Sequence, residues 1–260
     1  MGPMKRKPLD PARQAAFDVL RAVSERDAYA NLALPAILRD RGLSGRDAAF
    51  ATELAYGTCR SRGLLDAVIA AAAGRPVDRI DPVLLDLLRL GSYQLLRTRV
   101  DDHAAVSTTV DQAGIEFDTA RAGFVNGVLR TIGRRDEASW VEELAPPADK
   151  DPVGHLAFVH AHPRWIAQAF ADALGARADE LGALLAADDA RPEVHLAARP
   201  GRSPPPNSPS RSAARSAGIR RTRSTLGTAT RAGSRPCVRA GRWYRTRAAS
   251  WSPARSRRRR

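Results

Sequence analysis

No aspartate or glutamate follows Glu193, and from Ser203 to Arg260 the chain is built almost wholly of Arg, Ser, Pro, Ala, Gly and Thr. A segment with so little apolar content cannot bury enough surface to offset its ordering entropy, so core-forming sequence stops near residue 200. The segment holds sixteen arginines and no acid, so the net charge of +14 for all 260 residues leaves residues 1–202 at −2. The part able to fold is slightly acidic, and the basicity belongs to the tail.

Two explanations fit the tail. One is a natural basic arm that neutralises RNA phosphates. The other is out-of-frame translation of a GC-rich gene, whose codons favour the same few residues. If one nucleotide was lost near Arg202, each original codon keeps the first two bases of a present codon, preceded by the free third base of its neighbour. On that shift Ser203–Arg215 (SPPPNSPSRSAAR) admits ISAAELAEQVGGE, an amphipathic helical pattern with its acids restored. Gly218–Leu226 (GIRRTRSTL) admits YSPYAVHL, and Trp243–Ser252 (WYRTRAASWS) admits VVQDEGSQLV. Three sensible words in one constant frame favour the frameshift. Residues 203–260 are expected to be a disordered Arg/Ser/Pro-rich tail.

The remaining length supports a sizeable core. No apolar run is long and uninterrupted enough for a membrane span, and the opening MGPMKRKPLD has basic residues without the apolar stretch of a secretory signal. Cys59 and Cys237 fall on opposite sides of the break, so no disulfide scaffold is expected and a cytoplasmic location fits. His103, His155, His160, His162 and His195 have no Cys or acid at ligand spacing, so no metal is expected. His155, His160 and His162 read as helix-end and loop residues.

Helical periodicity runs through the acidic part. Asp10-Pro11 is a helix start, followed by Ala15, Ala16, Val19, Leu20 and Val23 on one face. A second helix over Ala30–Arg41 stops at Gly42, and Ser44 is placed to cap a third with Phe50, Leu54 and Tyr56 inward. Gly63–Ala73 ends at Gly74. Asp81-Pro82 repeats the opening signal before a helix apolar nearly all round, predicted to be the central element. Helices near Ala104–Ile115 and Thr119–Ile132 follow, then a Pro146-Pro147 linker. A second unit is predicted with helices over Trp165–Leu174 and Arg177–Ala187 and a strand at Val194–Ala198. Trp165 is expected to anchor its packing, and Glu53 to pair internally with Arg60 and Arg89. Tyr56 and Tyr93 are expected at the core edge with satisfied hydroxyls.

Four strings, ELAYGTCR (Glu53–Arg60), DPVLLDLLRLGSYQLL (Asp81–Leu96), AVSTTVDQA (Ala105–Ala113) and GFVNGVLR (Gly123–Arg130), resemble the NusB-like N-terminal domain. They are most similar to its version in the RsmB (Sun/Fmu) family of bacterial 16S ribosomal RNA cytosine-C5 methyltransferases. HPRWIAQAF (His162–Phe170) resembles that family's passage into its methyltransferase portion, and the re-framed VQDEGSQLV resembles the entrance to its catalytic domain. The resemblance implies an all-α, NusB-like bundle over residues 10–135 behind a flexible basic N-terminus (1–9). An incomplete α/β linker unit (136–202) and the tail would follow.

In that family S-adenosylmethionine binds a Rossmann-like domain. One cysteine attacks cytosine C6 and a second assists release, in Thr-Cys and Pro-Cys motifs. Both dipeptides occur here out of place. Thr58-Cys59 sits in the helical domain, where a small buried thiol is expected, and Pro236-Cys237 sits in the tail. The glycine-rich cofactor loop and its downstream acid are absent from the sequence, so no catalytic residue is carried over and no cofactor is expected in this chain.

The resemblance implies RNA, with 16S ribosomal RNA the expected partner. Candidate phosphate contacts are Lys5, Arg6 and Lys7, then Arg13, Arg60, Arg62, Arg130 and Arg134, with Arg135 beside the last. Most lie at helix C-termini, where arginine also complements the macrodipole. Asn126 is expected to cap or bridge backbone between helices. The expected function is the RNA-binding N-terminal fragment of a ribosomal RNA methyltransferase lacking its catalytic domain. The alternatives are a stand-alone antitermination-type RNA-binding module and a helical scaffold without RNA.

Overall fold

Aspartate fixes where the helices of this chain begin. In the computed structural model, which describes residues 9–190, six helices start at an Asp whose carboxylate accepts a backbone N–H two or three positions on. At Asp10, Asp81 and Asp151 a proline takes the first helical position, where a missing N–H leaves no bond unmade. The helices are α1 (Pro11–Arg26), α2 (Ala30–Asp40), α3 (Gly45–Arg60), α4 (Arg62–Ala73), α5 (Pro82–Arg97) and α6 (Asp102–Glu116). They continue as α7 (Thr119–Ile132), α8 (Glu137–Leu144), α9 (Pro152–Val159), α10 (Arg164–Leu174) and α11 (Leu181–Asp189). Tight 3-10 turns occupy Val77–Arg79 and Gly175–Glu180, and no strand occurs among the described residues.

Helix α5 is the centre, as its sequence predicts. Its eleven residues from Leu84 to Gln94 are all buried, and α1, α3, α4, α6 and α7 pack around it. Leu87, Leu88 and Leu90 meet Phe17, Leu54, Leu65, Val125 and Leu129 in one continuous core. Close approach is allowed by glycine: a Cβ at Gly57 would lie 2.0 Å from the Tyr93 ring, and one at Gly91 would lie 2.8 Å from Leu129. Tyr93 ends in a hydrogen bond, its hydroxyl donating to Glu53 Oε1 at 2.9 Å.

Several expectations need correction. Ser44 precedes α3 but makes no side-chain capping bond; the turn before it closes through Gly42, at φ +64°. Arg89 is not a partner of Glu53. Its Nε and Nη2 grip Asp66 at 2.6 and 2.8 Å and its Nη1 meets Asp86 at 2.9 Å, because α5 turns position 89 toward Asp66 on α4, and Asp86 lies three residues earlier on α5 itself. The stretch between Arg135 and Trp165 is more than a linker: it carries α8 and α9, each announced by an Asp cap. Trp165 is 72 % exposed, because α10 turns Ala167, Phe170, Ala171 and Leu174 inward and position 165 falls on the far side. Trp140 does the anchoring instead, buried in the main core with its indole N–H on Ile132 O at 3.2 Å.

Helices α9, α10 and α11 share a small second core of Ala157, Ala167, Leu181 and Leu185. The predicted strand at Val194–Ala198 and the tail lie outside the described residues.

Replacing a mid-helix glycine by alanine ordinarily stabilises by about 1 kcal/mol. At Gly57 the sign is expected to reverse, because the buried Tyr93 ring blocks the new methyl group. Gly57→Ala should lower unfolding stability by about 1–3 kcal/mol, read from urea midpoints; a more stable variant contradicts this packing.

Candidate nucleic-acid interface

Arg97, the last residue of α5, gathers one end of the bundle. Its Nε and Nη2 hold the Glu137 carboxylate at 2.8 and 2.7 Å, while Nη1 donates to Ser61 Oγ at 3.0 Å and Asp189 Oδ2 at 3.2 Å. Ser61 joins α3 to α4, Glu137 opens α8 and Asp189 closes α11. Burial disfavours the charge on Arg97, but Glu137 and Asp189 outweigh it, so its pKa is raised and the guanidinium stays charged.

These contacts also position the neighbouring cations. Arg60 and Arg62 flank Ser61, Arg134 and Arg135 just precede Glu137, and Arg99 follows Arg97 by two residues; all five are exposed. Arg62 lies 3.8 Å from Asp66, and Arg135 pairs with Glu143 while its guanidinium sits 4.6 Å from the centre of the Trp140 ring. Among the described residues Arg60, Arg99 and Arg134 have no acidic partner within 4.0 Å. The negative ends of the α3, α5 and α7 macrodipoles account for part of this accumulation. The outward, unpaired cations remain available to a polyanion.

At the other end of α5, about 24 Å away at 1.5 Å per residue, a cleft of about 330 Å³ is lined by Arg75, Arg79, Arg121, Phe124, Asp81 and Asp118. Arg75 stacks on Phe124 at 4.1 Å; Arg121 is tied to Asp118 at 3.0 Å and lies 5.5 Å from the Phe117 ring. A guanidinium on an aromatic plane presents flat apolar area and charge together, the combination that suits nucleotides. Between α6 and α7 runs a groove of about 400 Å³ holding His103, Asp111, Asn126 and Arg130. Asn126 Oδ1 accepts from Arg130 Nε at 3.1 Å, so Asn126 orients an arginine on its own helix rather than bridging two helix backbones.

No buried nucleophile is primed in this part. Burial pushes the Cys59 thiol up from its ordinary pKa, with Asp86 adding to the effect. Burial and the bond to Glu53 raise Tyr93 to about 12. The described residues contain no cluster of three metal-ligating side chains and no helix long and apolar enough to cross a membrane.

The model of the NusB family matches residues 10–134. Those residues form a NusB-family domain. The chain is 79 % identical over 197 residues to the putative methyltransferase Rv1407 of Mycobacterium tuberculosis (strain ATCC 25618 / H37Rv), a match covering 76 % of this chain and 43 % of that protein. It is 34 % identical over 169 residues to the probable ribosomal RNA small subunit methyltransferase B of Bacillus subtilis (strain 168), covering 65 % of this chain and 36 % of that one. The chain thus spans less than half the length of these curated relatives. Among solved structures, the crystal structure of PH0851 shares the fold, at 17 % identity and a TM-score of 0.55 over 73 % of this chain and 41 % of that one.

Within the NusB-family domain, the predicted Arg60, Arg62 and Arg134 come together at the Arg97 end. Arg130 stands apart in the α6–α7 groove. Arg13 is turned inward, its Nε on Gln94 Oε1 at 2.6 Å and its guanidinium 5.0 Å from the Phe50 ring centre. Lys5, Arg6, Lys7 and Pro236-Cys237 lie outside the described residues. Sequence reasoning missed Arg75, Arg79, Arg99 and Arg121. The run GRPVDR, which opens with the helix-ending Gly74, was the available signal for the first two.

The raised Cys59 pKa leaves less thiolate at neutral pH than a free cysteine holds. Alkylation of the Cys59 peptide, followed by mass spectrometry, should be at least about tenfold slower than that of free cysteine near pH 7, accelerating only in more alkaline buffer. Labelling at the free-cysteine rate would show a thiol open to solvent.

Proposed function

We propose that this chain is the RNA-binding N-terminal part of a protein of the ribosomal RNA small subunit methyltransferase B type, and that its NusB-family domain grips 16S ribosomal RNA through phosphate contacts. One observation carries the proposal: Arg60, Arg99 and Arg134, on three different segments, are exposed and lie in sequence beside Ser61, Arg97 and Glu137, which hydrogen-bond to one another at this end of the bundle. Residues 1–202 carry a net charge of −2, so this local excess is not a by-product of a basic domain. Phosphate neutralisation by such arginines releases counterions and supplies sequence-independent affinity. The names of the Bacillus subtilis relative and its kin supply the class of RNA.

S-adenosylmethionine would be the methyl donor of the whole relatives. The described residues do not fit it: they contain no strand from which a glycine-rich turn could lead, and the half-buried Cys59 thiol sits among helices with its pKa raised. No methyl-transfer step is assigned to them.

The double substitution Arg60→Gln with Arg134→Gln tests the proposal in the full chain, where the Arg-rich tail contributes equally to both proteins. Binding of a 16S ribosomal RNA fragment should weaken, and the slope of log K against log salt should shrink by about 1–2. An unchanged slope would place the phosphate contacts elsewhere.

A further inference from the structure

Helix α10 is apolar around far more of its circumference than it buries. Ala167, Phe170, Ala171 and Leu174 face the small second core, and at 3.6 residues per turn they cover about 100° of the helix, the width that suffices for a helix packed on one side. Trp165, Ile166, Ala169 and Ala173 fill about another 100° on the opposite side. Polar residues are confined to a single row, Arg164, Gln168 and Asp172. A helix with two apolar sides belongs between two layers. Among the described residues only the side toward α9 and α11 has one.

The outer side is open. Trp165 is 72 % exposed, Ala169 and Ala173 are exposed, and Ile166 packs against no core among the described residues. One exposed apolar side chain is ordinary, but a tryptophan continuous with three further apolar positions marks a contact surface. The polar row does not compete for a partner, because it is satisfied within the fold. Arg164 holds both oxygens of Asp151 at 2.9 and 3.0 Å, and Gln168 Nε2 donates to Asp172 Oδ1 at 2.9 Å.

Charge and size select the occupant. Residues 151–189 carry six acids against two arginines, and the arginine next to Trp165 is already neutralised by Asp151, so the local field opposes an RNA base stacking on the indole. A second copy of the chain is too demanding: one side of a helix about 16 Å long falls well short of the roughly 800 Å² that each partner of a free-standing complex buries. A neighbour joined through the same polypeptide needs far less area, since its effective concentration is about millimolar. Such a neighbour exists in the relatives, because the match covers only 43 % of the mycobacterial protein Rv1407.

Resting on the reading that this chain is the N-terminal part of a methyltransferase B-type protein, we propose that the outer side of α10 is the docking surface for the methyltransferase portion of that longer protein, with Trp165 as its anchor. Helix α10 is then a shared wall, its inner residues in the second core and its outer ones in the contact between the two portions. The surface it fits is apolar, with a slot for a flat ring and no requirement for a countercharge. The second core has only four buried residues, all Ala or Leu, and α10 gains its remaining burial from the other side.

Hydroxyl-radical footprinting read by mass spectrometry tests the docking. In the 260-residue chain Trp165 should be oxidised readily and the buried Trp140 hardly at all. In a fusion of residues 1–190 to the part of Rv1407 outside the match, oxidation of Trp165 should fall about fivefold or more, as the indole passes from 72 % exposure to that of a core side chain. Should the fusion not fold, Rv1407 itself gives the reading, with the position aligned to Trp165 protected. Trp165→Ser should leave the urea midpoint of the 260-residue chain unchanged and lower that of the fusion. A Trp165 as reactive in the longer protein as in this chain overturns the proposal, as does a midpoint lowered in the 260-residue chain. Protection of this chain that grows with its own concentration, or on adding a 16S ribosomal RNA fragment, would give the surface to a second copy or to RNA instead. The underlying reading fails separately: a protected Trp165 in a longer protein that binds no RNA upholds the docking, and a reactive one in a protein that does bind RNA refutes the docking alone.

Discussion

From Leu84 to Gln94 helix α5 is buried on every side; Ser92 bonds back to its own helix, while Asp86, Arg89, Tyr93 and Gln94 each also find a partner on a neighbouring helix. Arg89 reaches Asp66 on α4, Asp86 accepts from Ser24 on α1 at 2.5 Å, Gln94 accepts from Arg13 on α1, and Tyr93 donates to Glu53 on α3. An apolar helix alone could rotate or slide within a greasy sheath at modest cost. Removing one partner of a buried charged or hydrogen-bonded pair costs several kcal/mol. These contacts therefore set the register of α1, α3 and α4 against the centre, and the leucines supply most of the driving force. The rest of the bundle follows from that division.

The same logic, extended by one turn, makes the candidate interface. Arg97 ends α5 at the margin of the core, where its side chain retains 17 % of its exposure and its carboxylate partners come from α8 and α11. Its charge is spent on holding elements together. The arginines beside its partners face water, and Arg60, Arg99 and Arg134 take part in none of the ion pairs found among the described residues. Structural and ligand-facing cations are thus sorted by depth. Arg13, Arg89 and Arg97 are internal fasteners, whereas Arg60, Arg99 and Arg134 form a surface whose position those fasteners define. Because the excess positive charge sits at three carbonyl-bearing helix ends, part of it serves the fold, and its pull on a polyanion is what remains after that local compensation.

Legibility in the sequence followed the strength of the local signal. Asp-Pro starts and glycine stops are written in a few adjacent residues, and they mark α1, α2, α4 and α5 to within two residues. The unbroken apolar character of Pro82–Leu96 identified the central helix because no other placement could hide it. Short helices were missed: α8 and α9 have eight residues each, too few for a period to stand out, and the Asp caps before them passed unread. Pairings were hardest. Whether Arg89 meets Glu53 or Asp66 depends on the rotation of α5, which no local pattern encodes. Trp165 misled for a related reason, since a tryptophan after His-Pro-Arg suggests an anchor until the face of α10 is known. Arg60, Arg62 and Arg134 were chosen one at a time for their places at helix ends, and their meeting is a property of three dimensions.

The charge distribution carries a further consequence for how RNA affinity should be interpreted in this chain. Sixteen arginines without an acid in the last 58 residues will attract any polyanion, whichever explanation of that segment holds. Affinity as such therefore says little about the NusB-family domain. In that domain Arg97, Ser61 and Glu137 tie together the segments that carry Arg60, Arg99 and Arg134. A fixed set of cations discriminates among backbone geometries, since misplaced phosphates forfeit contacts that it cannot rearrange to recover. If the NusB-family domain binds RNA as proposed, selectivity among RNA shapes at constant salt is the property that its arginines would confer, and it depends on α5 holding its end in place.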